Sequence, residues 1–158
     1  PEKLIPHMII SALNGLSLPI YGNGNQIRDW LHVLDHVKGL ELISKKGLHN
    51  STYLLGGDNQ ITNLSIVQDI CSLMDSKLKK SIPNGLSSFS ELITFVKDRP
   101  GHDKTYGVDI STTQKNLGWK PTVPFKTGLR KTIDWYINHQ EWWEPLIKNQ
   151  NKFNKIGK

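Results

Sequence analysis

The residues with most chemistry to offer stand in one loop, Lys97-Asp98-Arg99-Pro100-Gly101-His102-Asp103. The apolar run before it, residues 92–96, reads as a buried strand, so the loop lies where a strand ends. Arg99 brings a planar fork of N–H donors, and Pro100-Gly101 forces a turn that bares the backbone. His102 adds a ring donor just beyond. That set suits the oxyanion of a phosphate or diphosphate. The heptapeptide by itself reads equally as a Pro-Gly turn whose charges face water. A second basic turn, residues 21–30, has the same character and favours the functional reading. An exposed Tyr21 ring there stacks on a nucleobase or packs on the strand beside it, and local sequence leaves both open. Arg28 is either an anion ligand or the partner of its neighbour Asp29. Asn63 stands where a helix starts, a place for a cap that is compatible with an anion contact.

Other chemistries find no footing. The one cysteine, Cys71, makes no pair and the histidines form no HExxH, so no metal site is expected. Gly56-Gly57 and Gly22-x-Gly24 lack the GxGxxG spacing of a strand–turn–helix dinucleotide fingerprint, and no nucleophile elbow is present. The residues support an anion- or nucleotide-contacting α/β piece without a catalytic centre.

The elements that must position these residues follow from periodicity. Residues 2–14 carry Leu4, Ile5, Met8, Ile9, Ala12 and Leu13 at helical spacing, with Gly15 beyond the end. Residues 18–22 read as a strand and 26–33 as an extended return, giving a hairpin about Asn23-Gly24-Asn25 with Tyr21 and Arg28 near its turn. Asp35 is the expected cap of a helix from His36 to about Lys46. Residues 52–57 have the composition of a buried strand. Thr62 or Asn63 caps a helix whose apolar face is Leu64, Val67, Ile70, Cys71 and Met74. Residues 77–90 read as a surface loop, and 106–109 as a short extended piece. Ser111 is the expected cap of a brief helix through Leu117, and Gly128 to His139 form the last firm helix, burying Leu129, Ile133, Trp135 and Tyr136.

Composition bounds the rest. The chain has 158 residues, 37% of them hydrophobic, and a mean hydropathy of −0.42, which is a soluble globular composition with room for one domain. No apolar run reaches the ~18 residues of a membrane helix, and no signal peptide is expected. A lone thiol suits the reducing cytoplasm. Net charge is +6, but part of it lies in a tail over 144–158 that is expected to fray, and no motif points to nucleic acid. The chain opens at Pro1 directly in helix-like sequence, as the continuation of something longer would.

Five stretches, PEKLIP (1–6), LPIYGNGNQIRDWLHVLDH (18–36), TYLLGGDNQITN (52–63), ITFVKDRPGHDKTYGVD (93–109) and LGWKPTVPF with GLRKTIDWY (117–136), closely resemble the dTDP-glucose 4,6-dehydratases. These are NAD-dependent enzymes of the extended short-chain dehydrogenase/reductase class that convert dTDP-glucose to dTDP-4-dehydro-6-deoxy-glucose. The resemblance runs from Pro1 to about Trp143, with departures at His32, Leu34, Leu54 and Gln60. It implies an α/β fold of short mixed strands and helices, the C-terminal substrate-binding part of such an enzyme over residues 1–143, without the N-terminal Rossmann half. By resemblance, Lys3, Leu4, Ile5, Pro6, His7 and Met8 line the nucleotide pocket, and Pro19, Ile20 and Tyr21 hold the thymine. Arg28, Asn63, Arg99 and His102 resemble the diphosphate grip, with Asp98, Pro100 and Gly101 in the same loop. NAD and the catalytic Tyr-x-x-x-Lys and Thr-Asp-Glu groups belong to the Rossmann half, so this chain is expected to hold no catalytic or cofactor-binding residue. The partners implied are dTDP-glucose, the Rossmann half and a family homodimer, in the cytoplasm, in deoxysugar biosynthesis. A chain cut from such a half is expected to self-associate. Two other readings remain open: a catalytically silent thymidine-nucleotide-binding module, and a piece of a UDP- or GDP-sugar epimerase or dehydratase.

Overall fold

The computed structural model describes residues 2–83 and 85–148. The described residues fall into two compact units that alternate along the chain, the first taking residues up to 25, 62–102 and from 130 onward, the second 26–61 and 103–129.

The first unit is built on a parallel pair. Helix α1 (Leu4–Leu13) buries Met8, Ile9, Ile10 and Ala12, tolerates Pro6 in its first turn, and is followed by Gly15 at φ +65°. Strand β1 (Leu18–Tyr21) alternates buried Leu18 and Ile20 with half-buried Pro19 and Tyr21. Helix α3 (Asn63–Leu78) is capped by Thr62, whose hydroxyl accepts from the Ser65 amide, and buries Ile66, Val67, Ile70, Cys71 and Met74. Strand β4 (Ile93–Val96) lies parallel to β1, with Leu18 opposite Ile93 and Tyr21 opposite Val96. Helix α5 (Phe125–Asn138) contributes buried Ile133, and α6 (Gln140–Lys148) contributes Trp143, whose indole N–H donates to the Tyr136 carbonyl.

The second unit holds strands β2 (Ile27–Asp29) and β3 (Gln60–Thr62), which pair, and helices α2 (Val33–Lys46) and α4 (Ser111–Leu117). Its centre is Asp35, 1% exposed. The carboxylate accepts from the Thr122 amide (2.9 Å), the Thr122 hydroxyl (2.7 Å) and the Val123 amide (2.8 Å). The Trp119 indole donates to the Asp35 carbonyl at 3.1 Å.

Several expectations are corrected. No hairpin forms: β1 gives its edge to β4 and β2 pairs with β3, because the turn after Tyr21 spends its polar groups on β4 and α3. Asp35 is not the helix cap. His32 is, through Nδ1 to the Leu34 amide, while Asp35 reaches across to the 119–123 segment. Residues 52–57 adopt no strand: the Thr113 hydroxyl bonds both the N–H and the C=O of Leu54, and Asp29 takes the Gly57 amide. Residues 77–90 are more than loop: α3 runs to Leu78, and Ser88 caps a 3-10 turn that buries Phe89. Strand β4 is not buried, because only one of its edges is paired among the described residues and Phe95 is 61% exposed. Ser111 does not cap α4, although its amide donates to Asp109. Trp135 lies on the surface, stacked on His139 and edge-on to Trp142. Residues 144–148 continue α6, and 149–158 lie outside the described residues.

Burial by itself raises the Asp35 pKa. The Val123 and Thr122 donors, with nearby Lys38, outweigh it and hold the carboxyl below its ordinary range. Stability from a depressed carboxyl is present above the unfolded value and lost as pH falls through the folded one. Asp35→Ala, which leaves buried donors unpaired, is expected to lower stability by about 3 kcal/mol at neutral pH. It should also flatten the loss of stability below about pH 4. Urea unfolding against pH measures both, and an unchanged acid limb would refute the role.

Candidate functional site

Parallel strands bring their carboxyl ends to one side, where ligands of open α/β sheets bind. Tyr21 ends β1 opposite Val96, and the next amide, Gly22 N–H, donates to the Val96 carbonyl at 2.9 Å. The chain then turns through Gly22 (φ +57°) and Gly24 (φ +75°), left-handed conformations that favour glycine. The Gly24 carbonyl accepts from the Leu64 amide at 3.0 Å, which ties this turn to the first turn of α3. Asn63 is the first residue of that helix, so a helix N-terminus stands beside the β1 turn.

The loop after β4 is held by its own carboxylate. Asp98 Oδ1 accepts from the Arg99 amide at 2.9 Å and from His102 Nδ1 at 2.7 Å. The His102 side chain is 6% exposed and meets the Tyr21 ring edge-on, centroids 6.0 Å apart at 84°. Arg99 is exposed, and its guanidinium has no partner among the described residues. The structure thus brings Tyr21, Asp98 and His102 into contact, with Arg99 projecting from the same loop.

In the second unit Arg28 is held in place. Nη1 donates to the Ile27 carbonyl (2.7 Å) and Nη2 to the Asp103 carbonyl (3.0 Å), with the guanidinium carbon 4.6 Å from the Tyr106 ring centre. The Tyr106 hydroxyl donates to the Asp103 carboxylate. The Arg28–Asp29 pair does not form: Asp29 accepts instead from the Gly57 and Asn59 amides at 3.0 and 2.9 Å.

The other residues implied by resemblance are placed as follows. Lys3 is exposed at the N-cap of α1, Leu4, Ile5 and Pro6 are half-buried, and His7 and Met8 are buried. Burial lowers the His7 pKa. Pro19 is half-buried, Ile20 buried, and Pro100 and Gly101 exposed. Sequence reasoning passed over Tyr106, whose spacing from Asp103 gave no signal of the ring beneath Arg28. It also passed over the i,i+4 pair His32 and His36, but His32 caps α2, and no cluster able to hold a metal exists among the described residues. Cys71 is no nucleophile, because burial, aided by the Asp75 charge, pushes its thiol up to about 12.

Donors gathered at the carboxyl ends of parallel strands are the arrangement by which open α/β folds hold ligands. The family model described as GDP-mannose 4,6 dehydratase matches residues 1–132, and the chain belongs to that family. Within it the chain resembles the C-terminal part of dTDP-glucose 4,6-dehydratases. It is 44% identical over 157 residues to the dTDP-glucose 4,6-dehydratase of Neisseria meningitidis, covering 99% of this chain and 44% of that protein. The solved dTDP-glucose 4,6-dehydratase of Bacillus anthracis, in complex with NAD, matches with a TM-score of 0.77 and 39% identity, over 92% of this chain and 42% of its own. That of Streptomyces venezuelae, also with NAD bound, gives a TM-score of 0.79 and 36% identity over the same shares. The chain therefore spans less than half the length of these relatives.

A Cβ at Gly24 would lie 2.7 Å from both Ile20 Cγ2 and Leu64 Cβ, whereas one at Gly101 (φ +68°) would meet nothing within 4 Å. Gly24→Ala is expected to destabilise by about 3 kcal/mol and Gly101→Ala by about 1 kcal/mol. Equal urea midpoints for the two variants would show that the Gly24 junction does not hold the site.

Proposed function

We propose that this chain is the nucleotide-sugar-binding part of a dTDP-glucose 4,6-dehydratase, taking dTDP-glucose by its thymine and diphosphate. The supporting observation is the pair of loops at the carboxyl ends of β1 and β4, where Tyr21 meets His102 and the same loop carries Arg99 with its guanidinium free among the described residues. Arg99 clamps the diphosphate through its planar fork, and Asn63 meets it at the positive end of α3. In the second unit, Arg28, steadied over Tyr106, keeps donors for an anion. Tyr21 stacks on the base, with Pro19 beside it. From α1, Lys3, Leu4, Ile5 and Pro6 have surface to offer, while His7, Met8 and Ile20 act through packing. Pro100 and Gly101 shape the loop.

NAD does not fit the residues present. Dinucleotides sit on a glycine-rich turn between a strand and a helix, but the glycine turn after β1 leads to β2, and side chains of Ile20 and Leu64 fill the space over Gly24. The cofactor and the catalytic groups therefore belong to the part of the relatives' length that this chain does not span. In this reading the chain by itself does not catalyse the dehydration, the whole protein works as a cytoplasmic homodimer, and neither nucleic acid nor membrane is a partner. No helix among the described residues is long and apolar enough to cross a membrane.

Calorimetric titration of the chain with dTDP, and with UDP as control, tests the site. dTDP is expected to bind at least tenfold more tightly than UDP, and Arg99→Ala to weaken it about tenfold to a hundredfold. Equal affinity for both nucleotides, or an unaffected Arg99→Ala variant, overturns the reading.

The α2 surface supports the same view. Val33, Leu34, Val37 and Leu40 are each more than half exposed on it, an apolar stripe of the kind that marks an interaction surface. Sedimentation velocity of the chain alone should show self-association, reduced by Val37→Glu. A monomer at all concentrations would count against a covered face.

A further inference from the structure

The geometry points to Asp98 as a positioning residue that makes nucleotide-sugar binding proton-coupled, with His102 taking up a proton as the ligand arrives. This rests on the diphosphate reading above.

The argument starts from the two nitrogens of one ring. Nδ1 of His102 lies 2.7 Å from Asp98 Oδ1, the same oxygen that accepts from the Arg99 amide. A carboxylate offers acceptors alone, so Nδ1 must carry the hydrogen. In the neutral ring Nε2 is then a bare lone pair. Nε2 has no hydrogen-bond partner among the described residues, and the ring is 6% exposed, so this nitrogen is what remains for a ligand. A diphosphate diester also presents acceptors alone. Lone pair facing oxyanion is repulsive. His102 therefore grips the diphosphate as imidazolium, with Nδ1–H donating to Asp98 and Nε2–H to a phosphate oxygen. The proton comes from solvent.

The titratable groups facing the ring are the Asp98 carboxylate, from its own loop, and the Tyr21 phenol, from β1. Lys97 and Arg99 flank Asp98 on the loop. Asp103, the residue after His102, turns its carboxylate to the Tyr106 hydroxyl. Were Asp98 held for shape alone, ligand affinity would be independent of proton uptake. Where it fixes the tautomer and leaves Nε2 bare, the two move together.

The test uses dTDP-glucose, whose diphosphate diester does not titrate near neutrality, so any linked proton belongs to the protein. Titrations in buffers of different ionisation enthalpy count the protons. The wild-type chain is expected to take up protons as the ligand binds, and to lose affinity as pH rises, by up to about tenfold per unit. Asp98→Asn lets an amide N–H donate to Nδ1 and moves the ring hydrogen to Nε2. That variant should bind with almost no proton uptake and a flat pH profile. If Asp98→Asn loses affinity at every pH with the wild-type proton count intact, Asp98 is merely structural and the inference fails.

A second measurement needs no ligand. Long-range proton–nitrogen spectra of the chain labelled at histidine nitrogen, assigned with His102→Gln, should show neutral His102 hydrogenated at Nδ1. Hydrogen on Nε2 would overturn the proposal even if dTDP-glucose binds. Failure of the wild type to bind while Nδ1–H is seen would refute the nucleotide-sugar reading and, with it, proton-coupled binding.

Discussion

The site depends on the register of two short parallel strands. Leu18 and Ile20 are fully buried while Pro19 and Tyr21 between and beyond them are not. Burying each aliphatic side chain contributes roughly 2 kcal/mol, and a slip by one residue would turn both outward. Core packing therefore decides where Tyr21 points. Because the pairing is parallel, the same register places Val96, and so the loop behind it, beside Tyr21. An antiparallel pair would have sent the two loops to opposite ends.

Beyond that pair, much of the chain is held by carboxylates rather than by ladders. Asp29 accepts from the amides of Gly57 and Asn59, Asp35 from those of Thr122 and Val123, Asp75 from that of Phe89, and Asp98 from that of Arg99. Each satisfies main-chain donors in a segment outside the α-helices and paired strands. A charge-assisted hydrogen bond is about twice as strong as a neutral one, so a few acids steady loops that two small sheets could not. Asp35 is the extreme case, because all three of its donors come from the 119–123 segment, far along the chain.

This division explains what the sequence made legible. Helices α1, α3 and α5 announce themselves by spacing, and the loop after β4 by its Pro-Gly turn. The pairing of β1 with β4 did not show, because a Gly-x-Gly turn between apolar stretches has the local signature of a hairpin. Nothing within residues 18–33 reveals that β1 closes on a strand far along the chain. Asp35 misled for the same reason. An acid at the start of a helical run is ordinarily a cap, and its distant donors are invisible to local reading. Residues 52–57 have a strand's composition yet side chains such as Thr113 and Asp29 for partners, since composition states what a segment can pair with and not whether the pairing is supplied.

In a loop proposed to bind an anion, an acid looks self-defeating, and the geometry resolves this. Lys97 and Arg99 outweigh the single charge of Asp98, and Asp98 Oδ1 is already engaged by two donors from its own loop. Without it the Arg99 amide and the His102 ring would be released on a Pro-Gly turn where even a Cβ added at the glycine would meet nothing within 4 Å. Ordering such a loop at the moment of binding would consume about 1–2 kcal/mol per residue fixed. The repulsion between Asp98 and a partly hydrated diphosphate a few ångströms farther away is smaller than that at an effective dielectric near that of water. The acid is therefore retained where it disfavours the ligand slightly and preorganises the donors considerably.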